Sequence, residues 1–204
     1  MQSVHSSTDR EEQILSQQRI TDHRIREYPV EVLVHKFLIQ DERGISEFFI
    51  PQYQRKFVWN KIQQSRFIES IIIGLPIPYL FAADTNDTGR EGCLEIIDGA
   101  QRLRTLAAYV TGELKLEKLN KLDLLNGTTF KDLQPSRQRR FLRSSLRMIE
   151  LTEFATEETR LDLFDRLNSG GTRLTPMEIL RGTLSGPLIN LVMTSPVFLY
   201  QVKC

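Results

Sequence analysis

The sequence predicts a domain of mixed helices and strands, and three observations predict it. Val30 to Leu38 and Asn60 to Ile73 carry apolar residues at helical spacing. Two short apolar runs, ending near Ala83 and beginning at Leu94, flank a polar loop over 84–92 and read as a hairpin-like pair of strands. The stretch LEIIDGAQRLRTLAAYV, Leu94 to Val110, passes from strand through a tight turn at Asp98-Gly99 into a helix with Leu103, Leu106, Ala107 and Val110 on one face.

Composition narrows the class. With 204 residues, 40% hydrophobic and 26% charged, the chain can bury a substantial core and is expected to form one domain with extensions. A net charge of +1 leaves any nucleic-acid role to local patches. The two cysteines, Cys93 and Cys204, fit no metal spacing or disulfide framework, which suits a reducing, cytoplasmic setting. No apolar run approaches the roughly 20 residues of a membrane span, and nothing indicates export.

In chain order, residues 1–27 read as a polar arm, with a thin apolar stripe over Glu11 to Ile25 that could form a helix. The domain begins at Tyr28-Pro29, where Pro29 suits a first helical position, and a strand follows over Ile45 to Ile50. Polar and aromatic residues then alternate on a loop, Gln52 to Trp59, before Asn60 and Gln63 open a helix as a capping pair and Gly74 stops it. Trp59 is better suited to anchoring the core than to stacking on a base. Gln54 and Arg55 are equally compatible with a surface pair and with a ligand site.

The Asp98-Gly99 turn is the richest feature. A helix start presents unpaired N–H groups and the positive end of the helix dipole, which attracts an anion, usually a phosphate. Gly99 would allow close backbone approach, and Arg102 would offer a fork of donors. The competing reading is an ordinary turn with Asp98 as N-cap and Arg102 and Arg104 solvated. On spacing alone that reading holds a slight edge.

Beyond Gly112, a plausible helix stop, a connection runs over Leu114 to Phe130, and a helix is expected over Ser136 to Met148. Arg139, Arg143 and Arg147 would share one face of it, a surface that can track a phosphate backbone but is more often simply solvated. A further helix over Thr156 to Leu167 runs into Asn168, Gly170, Gly171 and Thr172, either a flexible connector or a backbone nest for an anion. Thr175, Pro176 and Glu178 then mark another helix start, and residues 187–204 read as a C-terminal helical extension without a clear end.

Four motifs in order, IPQYQRKFVW, SIIIGLPIPYLF, IIDGAQRLRTL and FDRLNSGGTRLTPMEILRG, resemble the ParB-related domain-of-unknown-function family 262, found as the N-terminal domain of GmrSD- and SspE-type restriction proteins. The resemblance covers about residues 28–186. The family's usual central motif is Asp-Gly-Gln-Gln-Arg, and Ala100 replaces the first Gln here.

The resemblance implies an α+β fold with a ParB/sulfiredoxin-like core, a small mixed sheet with surrounding helices. It also implies a nucleoside triphosphate, often GTP, bound with Mg²⁺ and hydrolysed in a protein that regulates a nuclease in DNA restriction or phage defence. On that pattern Arg102, Arg55 and Gln54 face the phosphates, and Gly99 cradles them. Asp98 or Gln101 holds the metal or orients water, while Asn168, Gly170, Gly171 and Thr172 close the pocket. Loss of the Gln at position 100 bears on hydrolysis more than on binding. Only His5, His23 and His35 occur, all but the last upstream of residue 28, so a nuclease would be a partner or a further C-terminal domain. Homo-oligomerisation is compatible with this picture. A non-catalytic DNA-binding or assembly module and, less well supported, a direct nuclease are the alternatives.

Overall fold

The structure, a computed structural model, describes residues 7–20, 23–51, 59–85, 89–152 and 155–168. The loop holding Gln54 and Arg55, the stretch holding Gly170, Gly171 and Thr172, the helix start at Thr175 and the extension over 187–204 lie outside the described residues, as does the side chain of Asn168.

A five-stranded mixed sheet organises the described residues, in the order β1 (His23–Pro29), β5 (Ser145–Leu151), β3 (Leu80–Thr85), β4 (Cys93–Asp98), β2 (Phe48–Phe49). β3 and β4 form the expected antiparallel hairpin; β5 lies parallel to β3 and antiparallel to β1, and β2 lies parallel to β4. β3 and β4 are buried on both faces, which is why they read as nearly continuous apolar runs. The edge strand β1 is dominated by charge, with Arg24, Arg26 and Glu27, as suits a strand with one unpaired side.

The larger core lies on the face covered by α2 (Val30–Leu38), α3 (Lys61–Ile73) and α4 (Ala100–Val110), with α5 (Pro135–Leu142) beside it. α3 opens with the predicted reciprocal cap, the Asn60 side chain accepting from the Gln63 amide at 3.0 Å and the Gln63 side chain accepting from the Asn60 amide at 2.9 Å. Its stop at Gly74 is left-handed, at φ +79°, a backbone conformation that glycine reaches without a Cβ penalty. Trp59 packs edge-on against Phe67 with ring centroids 5.6 Å apart, the anchoring role expected of it.

The opposite face carries a smaller cluster, Tyr79, Phe81, Ala83, Ile97, Ile149 and Leu151, covered by α6 (Glu157–Asn168) through Leu163, Phe164 and Leu167. At its centre Arg160 of α6 meets Glu95 of β4, with Nε 3.1 Å from Oε2 and both side chains less than a tenth exposed.

Three local expectations are corrected. The helix expected over Glu11 to Ile25 is instead α1 (Ser7–Ile20), and residues 23–29 form β1, so the sheet takes in residues upstream of the 27/28 boundary. Pairing with β5, fully across from Leu151 to Ser145, makes a strand of a charged segment with no strand signature of its own. The strand over Ile45 to Ile50 contracts to Phe48–Phe49.

The third correction splits the helix over Ser136 to Met148. α5 ends at Leu142, where Ser144 closes it through N–H to Phe141 O at 3.0 Å and Oγ to Arg140 O at 3.1 Å. Leu146 and Met148 then follow at strand spacing into the core. Arg139 and Arg143 stay at this helix, whereas Arg147 sits on β5, paired with Glu27 at 2.7 Å and donating to the Tyr79 hydroxyl at 2.9 Å. The three arginines therefore share no helical face.

Candidate functional site

The Asp98-Gly99 turn folds in a way that neither sequence reading anticipates. Gly99 is the N-cap of α4, at φ +100°, and no side chain among the described residues caps the helix. Asp98, the natural candidate for that task, turns to Arg102 one helical turn later, Oδ2 to Nη2 at 2.6 Å. Arg102 is only 7% exposed, and its second terminal nitrogen donates to the carbonyl of Pro78. The ordinary turn with an Asp98 cap and a solvated Arg102 is thus excluded. Arg102 does not reach outward as a fork either; it ties the end of β4 to the segment entering β3.

Gly99 is required twice over. Its positive φ disfavours any residue with a Cβ, and a Cβ built there would lie 2.2 Å from Leu80 Cδ2, far inside contact distance. No described side chain caps the N-terminal turn of α4, where the backbone amides and the helix dipole supply positive character. Because Asp98 and Arg102 neutralise one another, the local positive character comes from the backbone rather than from a side chain.

Topology brings other motif segments to the same end of the sheet. β2 runs parallel to β4, in register Phe48 with Leu94 and Phe49 with Glu95, so the chain leaves β2 toward Pro51 at the end where β4 reaches Asp98. It re-enters the described structure at Trp59, whose N–H donates to the Gln101 side-chain oxygen at 3.2 Å. Both ends of the Gln54 and Arg55 loop are therefore held beside the first turn of α4. α6 starts beyond the far end of β5, passes Glu95 at Arg160 and places Leu167 in the cluster that includes Tyr79 and Ile97, which delivers Asn168 toward the same end.

Asp98, Gly99, Gln101 and Arg102 are thus assembled at one turn, and the described flanks of the other motif segments, Pro51 and Trp59 on one side and the end of α6 on the other, lie at the same end of the sheet. Gln101 acts on the loop through Trp59. Arg139 and Arg143 lie on the separate helix α5, and Arg147 is engaged with Glu27 and Tyr79. Glu95 and Arg160 escaped the sequence reading, although a charged residue inside the run Cys93 to Ile97 was a signal, since a strand buried on both faces admits a carboxylate only with a partner. The Pro78 carbonyl left no signal, because any residue supplies one.

No helix among the described residues is long and apolar enough to cross a membrane. No curated protein matches the chain. Among solved structures, a C-terminally truncated chromosome-partitioning protein ParB from Caulobacter crescentus, complexed with CTP-γ-S, is similar at 13% identity and a TM-score of 0.37, over 88% of this chain and 70% of that one. The family model for the GmrSD restriction endonuclease N-terminal domain matches residues 34–185. With that match spanning most of its length, including the Asp98 turn and both β3 and β5, the chain belongs to the GmrSD restriction endonuclease N-terminal domain family.

Proposed function

We propose that this domain binds a nucleotide at the N-terminus of α4 and serves as the regulatory module of a DNA restriction system directed against phage. One observation carries the reading. The Asp98 carboxylate is drawn aside by Arg102, so no described side chain caps the first turn of α4, at the sheet end where Pro51, Trp59 and the C-terminal end of α6 also lie. Helix N-termini with a glycine at the approach are recurrent phosphate sites.

In this reading the amides following Gly99 receive a phosphate, Arg102 fixes the turn through Asp98 and Pro78, and Gln101 positions the Gln52 to Val58 loop through Trp59. Gln54 and Arg55 approach from that loop, and Asn168, Gly170, Gly171 and Thr172 approach from the exit of α6. The family resemblance brings Mg²⁺ with the nucleotide. Among the described residues no group of three His, Cys, Asp or Glu side chains is placed to hold an ion, and one oxygen of Asp98 is engaged with Arg102. Asp98 accordingly acts as the brace for Arg102, and an ion would arrive on the nucleotide phosphates, as Mg²⁺ commonly does.

Equilibrium binding of ATP, GTP, CTP and UTP, each with and without Mg²⁺, tests the reading, with phosphate release followed in the same samples. At least one nucleotide is expected to bind. Arg102→Ala should weaken that binding about ten- to hundredfold by releasing the turn from Asp98 and Pro78, the equivalent of roughly 1.5–3 kcal/mol for the charge-assisted hydrogen bonds lost within the turn. A folded chain with no affinity for any of the four overturns the proposal.

A further inference from the structure

Two groups of arginines among the described residues differ in their partners. Arg26, Arg43, Arg102, Arg147 and Arg160 each face a carboxylate within 3.1 Å. Arg137, Arg139, Arg140 and Arg143, all exposed, have no carboxylate partner among the described residues. Since the chain as a whole carries a net charge of only +1, this concentration on one short helix is local and is balanced elsewhere.

α5 is fixed from behind. Phe141 stacks with Tyr109 and Phe130 at centroid distances of 5.3 and 5.8 Å, and the Gln138 amide donates to the carbonyls of Lys131 and Leu133. At about 100° per residue, Arg139, Arg140 and Arg143 fall within one sector on the side of the helix away from Phe141. Pairing with the helix C-terminus accounts for part of this, because Arg143 Nε donates to the Arg139 carbonyl at 3.2 Å. It leaves Arg139 and Arg140 unexplained.

We infer that the outward face of α5, made by Arg139, Arg140 and Arg143, is a docking surface for the phosphate backbone of double-stranded nucleic acid. Charge complementarity selects a polyanion, and the three arginines span about 6 Å of the helix axis, enough to face more than one phosphate of a strand whose phosphates recur about every 3.4 Å of duplex axis. A lipid surface fits poorly. Interfacial helices insert large apolar side chains beside their cations, and the exposed large apolar residues of the described chain lie on other elements. Arginines reading only phosphates confer no base preference, so the surface is a sequence-independent clamp. Through Ser144, α5 runs directly into the start of β5, beside Pro29 and one strand from β3, at the sheet end that carries the α4 turn. The inference stands whether or not that turn binds a nucleotide.

The test is fluorescence anisotropy of a labelled 20-base-pair mixed-sequence DNA duplex against the full 204-residue chain across a KCl series. The triple variant Arg139→Gln, Arg140→Gln, Arg143→Gln should bind more than about tenfold more weakly at low salt, and its log–log salt slope should flatten by up to about 2.7 units for three lost phosphate contacts. Arg139→Lys, Arg140→Lys, Arg143→Lys keeps the charge and should retain most of the slope, which separates a lost surface from a lost fold, and nucleotide affinity should stay unchanged in both variants. An unchanged slope in the Gln variant, no duplex binding by the wild type at 50 mM KCl, or arginine-dependent binding to phosphatidylserine vesicles in place of the duplex would each overturn the inference.

Discussion

The two faces of the sheet are built differently. One is closed by α2, α3 and α4 over a broad apolar core that includes Leu33, Phe67, Ile96, Leu103 and Leu106, all fully buried. The other, among the described residues, is closed by α6 over a small cluster around the Glu95–Arg160 pair. Apolar burial is non-directional and tolerates small shifts, whereas a buried ion pair is satisfied in one register only. The first face therefore supplies cohesion, and the second supplies position.

Substitutions that attack each face separately can break the comparison. Phe67→Ala strikes the cohesive face, where truncation of a buried aromatic removes roughly 3–5 kcal/mol and should lower the urea midpoint of the whole domain. Trp59, the sole tryptophan, loses its ring partner in that variant, so its fluorescence should change even in the folded state.

Arg160→Met removes the guanidinium facing the buried Glu95 carboxylate, at a cost of about 3–5 kcal/mol if α6 stayed docked. Release of α6 relieves that cost, so amide exchange should accelerate across Glu157–Asn168 while the amides of α4 keep their protection. Equal acceleration of both helices would show that the faces are one cooperative unit. Pairing Arg160→Met with Glu95→Leu should restore slow exchange in α6 if the ion pair sets register rather than stability.

The smallest effect sharpens the picture of the cohesive face. Tyr109 is fully buried between Phe130 and Phe141, and its hydroxyl has no hydrogen-bond partner among the described residues. Burial, followed by the nearby Asp132 charge, pushes its ionisation above the ordinary phenol range. Tyr109→Phe removes an unsatisfied polar atom and should leave the domain unchanged or more stable by up to about 1 kcal/mol in thermal unfolding. A loss of stability would mean that the hydroxyl has a partner the apolar packing does not suggest.

What could be read from the residues follows the locality of the forces. The α3 cap at Asn60 and Gln63, its glycine stop and the β3–β4 hairpin are set by neighbours in sequence, and each is where the pattern puts it. β1 is set by β5, more than a hundred residues away, and a charged segment gives no warning of such a pairing. The stretch 136–148 misleads because its arginines continue at helical spacing past the point where Ser144 ends the helix. At the site, the motif residues could be named from sequence, but not the direction in which Arg102 points. That depends on a backbone carbonyl at Pro78, brought near only when the hairpin closes.

The pairing of β1 with β5 also sets an order for synthesis. Tyr28 and Glu150, joined at 2.5 Å across those strands, are separated by 122 positions in the chain. At about 5–20 residues per second, a ribosome takes roughly 6–25 seconds to make the strand that β1 needs. β5, the strand β1 joins, is also the last of the described sheet strands in chain order. The first strand of the sheet is thus the last to be seated, and for that interval the emerging chain carries an unpartnered strand. Its density of charge, Arg24, Arg26 and Glu27 in seven residues, keeps such a strand from joining another nascent copy while it waits.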